Sequence, residues 1–423
     1  MARSLLVAPV ADHSALARTC LGLLRALDRR GVKVAFVKPV AQPSADGGPD
    51  RSAELVAAIT ALRPPEPLST AQLEQQLGEG ELEVVLEKIV AAWEPVYGGS
   101  DVVVIEGISP APSRLYASTL NEALARALDA DVVLSGKWPA DGDAEVLAEQ
   151  FAIAASGYVA GEQARVVGCV IHGLPADAAA AAGLRAALDR WKLPVVAAVP
   201  YRPELTWPRV RDLVRHLHPR ILHEGDMSRR IRDVAVFAAG IPGGLDALDT
   251  GRLVVVPGDR HDVIMAAYLT ELSGTRLAGL LLSTGTAPDP RISDLTRGTA
   301  AAGLPVLLVE DDTYHTATRV RDLDPGLPVD DTERIDSVTD TIADALDPSW
   351  LESLTGASRS RRLSPAAFRY QLTELAHAAD ALVVLPEGTE PRTIRAAVAC
   401  AERGIARCLL FGSPDEVAAQ PAE

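Results

Sequence analysis

Over the first two hundred residues, short apolar runs alternate with longer amphipathic stretches, which predicts βαβ units and a parallel sheet. The strand candidates are Ser4–Pro9, Val32–Lys38, Asp101–Glu106, Asp131–Ser135, Ala164–Ile171 and Pro194–Val199. Their richness in Val and Leu suits strands buried on both faces. Helical spacing of apolar positions predicts helices over Ser14–Arg29, Leu115–Leu128 and Ala144–Ala155. Gly31 follows the first of these where a C-cap belongs. The stretch Pro39–Pro67, rich in Pro, Gly, Ser and Asp, reads as a loop around one short helix.

Near Trp207 the pattern shortens. Strands are expected at Asp233–Ala238, Leu253–Val256, Ala278–Ser283 and Pro305–Val309, with helices at His261–Ser273 and Asp289–Ala302. This is a smaller α/β unit of about 140 residues, within the usual domain size. A helix over Thr332–Leu346 then leads to the polar segment Ser353–Arg362, whose Arg359, Arg361 and Arg362 mark it as the expected linker. A third α/β unit opens at Ser364-Pro365, an N-cap and first helical position. It continues with a strand at Ala381–Leu385, a helix at Glu390–Arg403 and a strand at Ala406–Phe411. Two strands cannot close a doubly wound sheet, and an open parallel edge is normally covered, so the third unit reads as incomplete. The expected domains are 1–206, 207–352 and 364–423, with a linker at 353–363.

Composition narrows the classes of function. A chain of 423 residues suits two or three domains. With 48% hydrophobic but 4% aromatic residues, the cores must be built from Ala, Val, Leu and Ile. The net charge of −16 and the lack of a basic stripe argue against nucleic acid as a partner. No lysine follows Lys192, so arginine is nearly the only cation available for anions. Cys20, Cys169, Cys400 and Cys408 lack metal-ligand spacing and read as buried thiols. No secretory leader and no run of eighteen apolar residues is present, so a soluble, cytoplasmic chain without membrane contact is expected.

A first strand entering a loop and helix at the start of a parallel sheet is where a P-loop would sit. That loop needs glycines to cradle phosphate, a Lys for the β- and γ-phosphates and a Ser or Thr for magnesium. Here Ala15-Leu16-Ala17 stands where Gly-Lys-Thr would. An apolar Leu replaces no ammonium and Ala ligates no metal, so no cofactor and no metal are expected. Glu106, at the C-terminal end of a strand, is a candidate strand-end ligand, though an exposed carboxylate is the favoured expectation. His13 reads as a solvated loop residue.

Longer strings carry a resemblance. Gly31–Gln42 (GVKVAFVKPVAQ) and Asp101–Gly107 (DVVVIEG) resemble the dethiobiotin-synthetase-like P-loop domain at the N-terminus of long phosphate acetyltransferases. His223–Ala238, Asp259-Arg260 and Leu327–Ile335 resemble a DRTGG domain, and Ser358–Ala376 and Leu385–Ala406 the opening of the phosphate acetyl/butyryl-transferase domain. The implied fold is a degenerate P-loop NTPase-like parallel sheet, then a smaller α/β DRTGG domain, then an incomplete α/β transferase domain. The second DRTGG motif departs from its pattern: Ser283-Thr284-Gly285-Thr286 has lost one glycine. Asp259, Arg260, Thr284 and Arg291 are candidate effector-binding residues, with an ion pair to a nearby Asp the favoured role for Arg260. The turn Pro386–Arg392, with Gly388 and Arg392, would face the ligand cleft of a complete transferase domain.

The resemblance implies conversion of acetyl-CoA and phosphate to acetyl phosphate and CoA, by Ser, Arg and Asp residues beyond the matched part. By itself the chain is therefore expected to be inactive and to serve as a regulatory and assembly portion. Acetyl-CoA and phosphate are expected as partners only through a complete catalytic domain. A small metabolite effector and homo-oligomers are expected as well. A P-loop ATPase or ligase, or a stand-alone sensing scaffold, are the alternatives.

Overall fold

Six parallel strands form the first sheet: β1 (Arg3–Pro9), β2 (Val34–Val37), β3 (Val102–Glu106), β4 (Asp131–Lys137), β5 (Val166–Leu174) and β6 (Val195–Pro200). Their order is β2-β3-β1-β4-β5-β6. The chain runs from β1 outward to β2, returns to β3, and crosses over β1 to reach β4. The loops after β1 and β3 therefore open where the winding direction reverses, which is where α/β sheets take ligands. All of β3 and nearly all of β1 and β4 are buried, because helices cover both faces.

The computed structural model describes residues 2–11, 15–42, 50–139, 141–159, 165–296, 303–323, 326–355, 362–414 and 417. His13 lies outside them. Of the predicted helices, Leu16–Asp28, Ala117–Ala127 and Ala144–Val159 are present, and Ser52–Ile59 is the short helix inside the expected loop. The helix Leu82–Tyr97 was missed, although Val85, Leu86, Ile89, Val90 and Trp93 form a legible buried stripe. The chain folds into two compact units, one of residues 1–200 with 338–423, the other of residues 201–337.

In the first unit, the segment after residue 338 packs on the P-loop-like sheet. Trp350 Nε1 donates to Val167 O (2.9 Å) and Asp347 N donates to Val196 O (2.8 Å). These bonds fasten the helix Pro348–Thr355, which takes the first three residues of the expected linker. Residues 356–361 lie outside the described part. The helix Pro365–Ala379 follows, capped by Ser364, whose Oγ accepts from Ala367 N. The helix Pro391–Glu402 separates two further strands that pair in parallel, which we label below.

In the second unit, β7 (Arg220–His223), β8 (Asp233–Val236), β9 (Arg252–Pro257), β10 (Gly279–Ser283) and β11 (Val306–Leu308) are ordered β7-β11-β10-β9-β8. The strand β7 is antiparallel to β11 and the others are parallel. Sequence patterning missed β7 because Arg-Ile-Leu-His is a short, largely exposed edge strand. Alternate residues enter cores on opposite faces: Val254, Val256, Leu280 and Leu282 on one, Leu253, Val255 and Leu281 on the other. The predicted helix Asp289–Ala302 is seen as Pro290–Thr296, and residues 297–302 are not described.

The last strands of the chain, β12 (Leu382–Leu385) and β13 (Arg407–Leu410), form the two-stranded parallel sheet of the first unit. Its apolar side chains stay largely exposed. Cys20 and Cys169 are buried as expected, but Cys400, on the helix Pro391–Glu402, and Cys408, in β13, are only half-buried.

Candidate functional site

The ends of β2 and β3 hold a cluster that sequence reasoning did not assemble. Lys38, directly after β2, donates from Nζ to Glu106 Oε1 at 2.7 Å and lies 3.5 Å from Asp50 Oδ2. Ser52 Oγ, in the first turn of Ser52–Ile59, donates to the same Glu106 oxygen at 3.0 Å. Asp50 is positioned by the Gln42 and Ser52 backbone N–H groups, at 2.7 and 2.8 Å. Lys38 and Glu106 are 2% and 3% exposed. The favoured expectation for Glu106, an exposed carboxylate, is thus corrected: the strand ends inside the protein, and the carboxylate is held there by an ammonium.

The electrostatics follow from burial. Desolvation opposes the Lys38 charge, but Glu106 and Asp50 outweigh it and hold the ammonium above its ordinary pKa. Burial pushes the Glu106 carboxyl up, opposed by Lys38 and reinforced by Asp50. The nearby Cys20 thiol is pushed well above its usual value by burial and then by the Glu106 charge. One polar atom is unsatisfied: Glu106 Oε2 is buried without a hydrogen-bond partner.

Among the described residues, the loop after β1 does not supply phosphate chemistry. Ala15 is the N-cap of Leu16–Asp28 and makes no side-chain cap bond. Leu16 is buried in the core where a phosphate-binding ammonium would have to reach outward. Ala17 brings no metal ligand. Lys38, the lysine at these strand ends, is already engaged by the Glu106 and Asp50 carboxylates. Adenine nucleotide with magnesium, the cofactor a P-loop fold implies, does not fit these side chains. Behind the loop, Thr19 Oγ1 lies 2.9 Å from Ser135 Oγ and 2.7 Å from His172 Nε2. This polar chain ties helix Leu16–Asp28 to the ends of β4 and β5.

The other candidates fall at two separate places. In the second unit, Asp259 and Arg260 follow β9, and Thr284 follows β10, its parallel neighbour. The two turns touch, since a Cβ on Gly258 would overlap Thr286 O. Thr284 takes a left-handed conformation, φ 69°, and Gly285 follows at φ 65°, whereas Thr286, where the motif's glycine is lost, is not among the residues of positive φ. Thr284 N donates to Asp311 O at 2.8 Å. Arg260 is paired with Asp262 at 2.9 Å and Arg291 with Asp289 at 2.8 Å. Those bonds hold both guanidiniums above, and both carboxyls below, their ordinary pKa values.

In the first unit, Gly388 N donates to Phe411 O at 3.1 Å, closing the turn after β12 onto the end of β13. A Cβ on Gly388 would collide with that oxygen, so close backbone approach accounts for the glycine. Arg392 is exposed and bonded to Glu390 at 3.0 Å. The missed residues are Lys38, Asp50 and Ser52. Lys38 was legible as a rare lysine ending an apolar strand before Pro39. Asp50 and Ser52 were not, because only folding brings their loop over β3.

Among the described residues, no group of three or more His, Cys, Asp or Glu side chains could hold a metal ion. No helix is long and apolar enough to cross a membrane, among the described residues.

Fold and site together define a P-loop-type α/β domain whose phosphate-binding side chains are replaced, joined to a second, mostly parallel-sheet domain. Residues 3–209 match the family model of an AAA domain, 212–323 that of the DRTGG domain, and 367–423 that of the phosphate acetyl/butaryl transferase. The chain is 40% identical over 427 residues to a phosphate acetyltransferase of Pseudomonas aeruginosa, covering 98% of this chain and 60% of the relative. It is 38% identical over 443 residues to that of Salmonella typhimurium, covering 99% of this chain and 62% of the relative. A solved structure of cobyrinic acid a,c-diamide synthase from Mycobacterium smegmatis is similar at a TM-score of 0.34 and 21% identity, covering 48% of this chain and 87% of that one. The chain is similar to phosphate acetyltransferases over nearly its whole length and spans about three-fifths of the length of these relatives.

Proposed function

We propose that this chain is the regulatory and assembly portion of a phosphate acetyltransferase, in which the P-loop-type sheet serves as scaffold and does not turn over nucleotide. The reaction of the whole protein is the reversible conversion of acetyl-CoA and phosphate to acetyl phosphate and CoA. The observation that carries the scaffold role is the closed Lys38–Glu106–Asp50 cluster, which fills the strand ends with an internal ion pair. Acyl transfer needs phosphate, thioester and CoA held in one geometry. Among the described residues near Gly388, the cation on the turn is Arg392, and it is already bonded to Glu390. The acyl-transfer chemistry is therefore assigned outside the described residues.

In the second unit, an anionic effector at the β9 and β10 ends would have to displace Asp262 from Arg260. The change in affinity between an effector site and a catalytic cleft is typically worth about 1–3 kcal/mol. Homo-oligomers are part of the same proposal, and analytical ultracentrifugation of the chain tests them. For the scaffold role, calorimetric titration of the chain with magnesium-ATP is expected to show no saturable heat. Tight, magnesium-dependent binding would instead support a P-loop ATPase or ligase. Following thioester absorbance with acetyl-CoA and phosphate, no turnover is expected from the chain alone. Rates of about 1–1000 per second would overturn the proposal.

A further inference from the structure

The helix Pro365–Ala379 uses its weaker face to dock on the P-loop-type domain. Ala366 and Ala367 are the fully buried apolar residues on that face, with Tyr370 partly buried beside them. Its larger apolar residues point elsewhere: Phe368, Leu372 and Leu375 are 50%, 49% and 68% exposed. Two alanine methyl groups bury little surface, so burial alone holds the helix weakly.

Charge does more of the fastening. Arg369 bonds both Glu83 and Glu87, one turn apart on helix Leu82–Tyr97. Arg403, just past the helix Pro391–Glu402, bonds Glu87 as well. Glu87 thus joins two separate elements of the docked segment. At the other end, Arg362 N donates to Asp129 Oδ2 at 2.8 Å, and Ser364 Oγ donates to Ala127 O at 2.6 Å. A cleft of about 330 Å³ remains between the two sides, lined in part by Leu82, Leu86, Arg126, Arg362 and Leu363. An interface that is ionic, poor in buried apolar area and incompletely filled has the character of a transient contact rather than a core.

We propose that the acidic face of helix Leu82–Tyr97 is a reversible dock for the transferase-matched segment, with Glu87 as its hub. The segment detaches as a body while the six-stranded sheet stays folded. The proposal deepens the scaffold role only in naming what the scaffold holds. It requires neither nucleotide binding nor acyl transfer, so its test is separate from theirs.

The test is hydrogen exchange on the whole chain, comparing residues 365–379 with β1, β3 and β4. Raising salt from about 0.1 to 1 M shortens the screening length from about 10 to 3 Å. In the unmodified chain this should accelerate exchange in 365–379 by about tenfold and leave the strands unchanged. Glu87→Arg should show the same acceleration at low salt, and so should Arg369→Glu, which sets a carboxylate against Glu83 and Glu87. Salt-independent exchange in 365–379, or helix and strands losing protection together, overturns the proposal. So does a Glu87→Arg chain, folded by its strand protection, that exchanges like the unmodified one. If Glu87→Arg does not fold, the salt titration of the unmodified chain decides.

Discussion

Glu106 shows how far a single position can differ from its appearance in sequence. A carboxylate at the end of an apolar run looks solvated, yet it sits beside Lys38 with one oxygen unsatisfied. Removing only the cation leaves a buried charge uncompensated, so Lys38→Met should cost about 3–5 kcal/mol in urea unfolding. The double variant Lys38→Met/Glu106→Leu should recover most of that loss. The Lys38 pKa is raised in the folded state from 10.5. Its stabilisation is therefore full below that value and is lost as pH rises through the folded pKa. Thr284 presents the opposite case, a β-branched residue held at a left-handed φ that favours glycine. Thr284→Gly should raise stability by about 0.5–1 kcal/mol, read as a higher denaturation midpoint. Gly258→Ala in the facing turn should lower it by about 3 kcal/mol, because its Cβ has no room beside Thr286 O.

Among the elements, strands were more legible than helices. All six strands of the first sheet lie within a few residues of their expected places, because both faces are buried and the apolar runs are continuous. The edge strand β7 was invisible for the converse reason. The helix start at Ser364-Pro365 was legible from its cap, but its second role was not: Ser364 Oγ also donates to Ala127 O, 237 positions earlier in the chain. Ser364→Ala should therefore cost about 1–2 kcal/mol, at the upper end for an N-cap, measured by chemical denaturation. Capping residues announce themselves locally, whereas bonds across the fold do not.

Over the whole molecule, acidic excess and arginine take a specific form in the second unit. Arg209, Arg215 and Arg230 converge on Asp212, Asp330 and Asp331. Hydrogen bonds from Arg215 and Arg209 hold the Asp330 carboxyl below its ordinary range. For Asp331, burial acts upward, but Arg230 and Arg209 prevail and the net shift is also downward. Carboxylates with depressed folded pKa values stabilise above their unfolded value, 3.8, and lose that contribution as pH falls through the folded one. An acid titration followed by circular dichroism should show this unit weakening below about pH 4. Asp331→Asn should weaken it at neutral pH and flatten the acid limb.

Apolar periodicity by itself determined the class of fold: two α/β cores, most of their strand positions with β7 excepted, and a third set of α/β elements. The loss of Lys and Thr from the first loop was equally plain, since a phosphate site needs particular side chains at neighbouring positions. Tertiary structure alone decided what replaced that chemistry. Lys38, Asp50, Ser52 and Glu106 are spread over nearly seventy positions and meet only because β2 and β3 are neighbours in the sheet. Ion pairing and burial are properties of distance in space, and a one-dimensional pattern records spacing along the chain. The opening loop could therefore be read as stripped of its phosphate chemistry from sequence, while the ion pair that closes the strand ends beside it appeared only once the chain was folded.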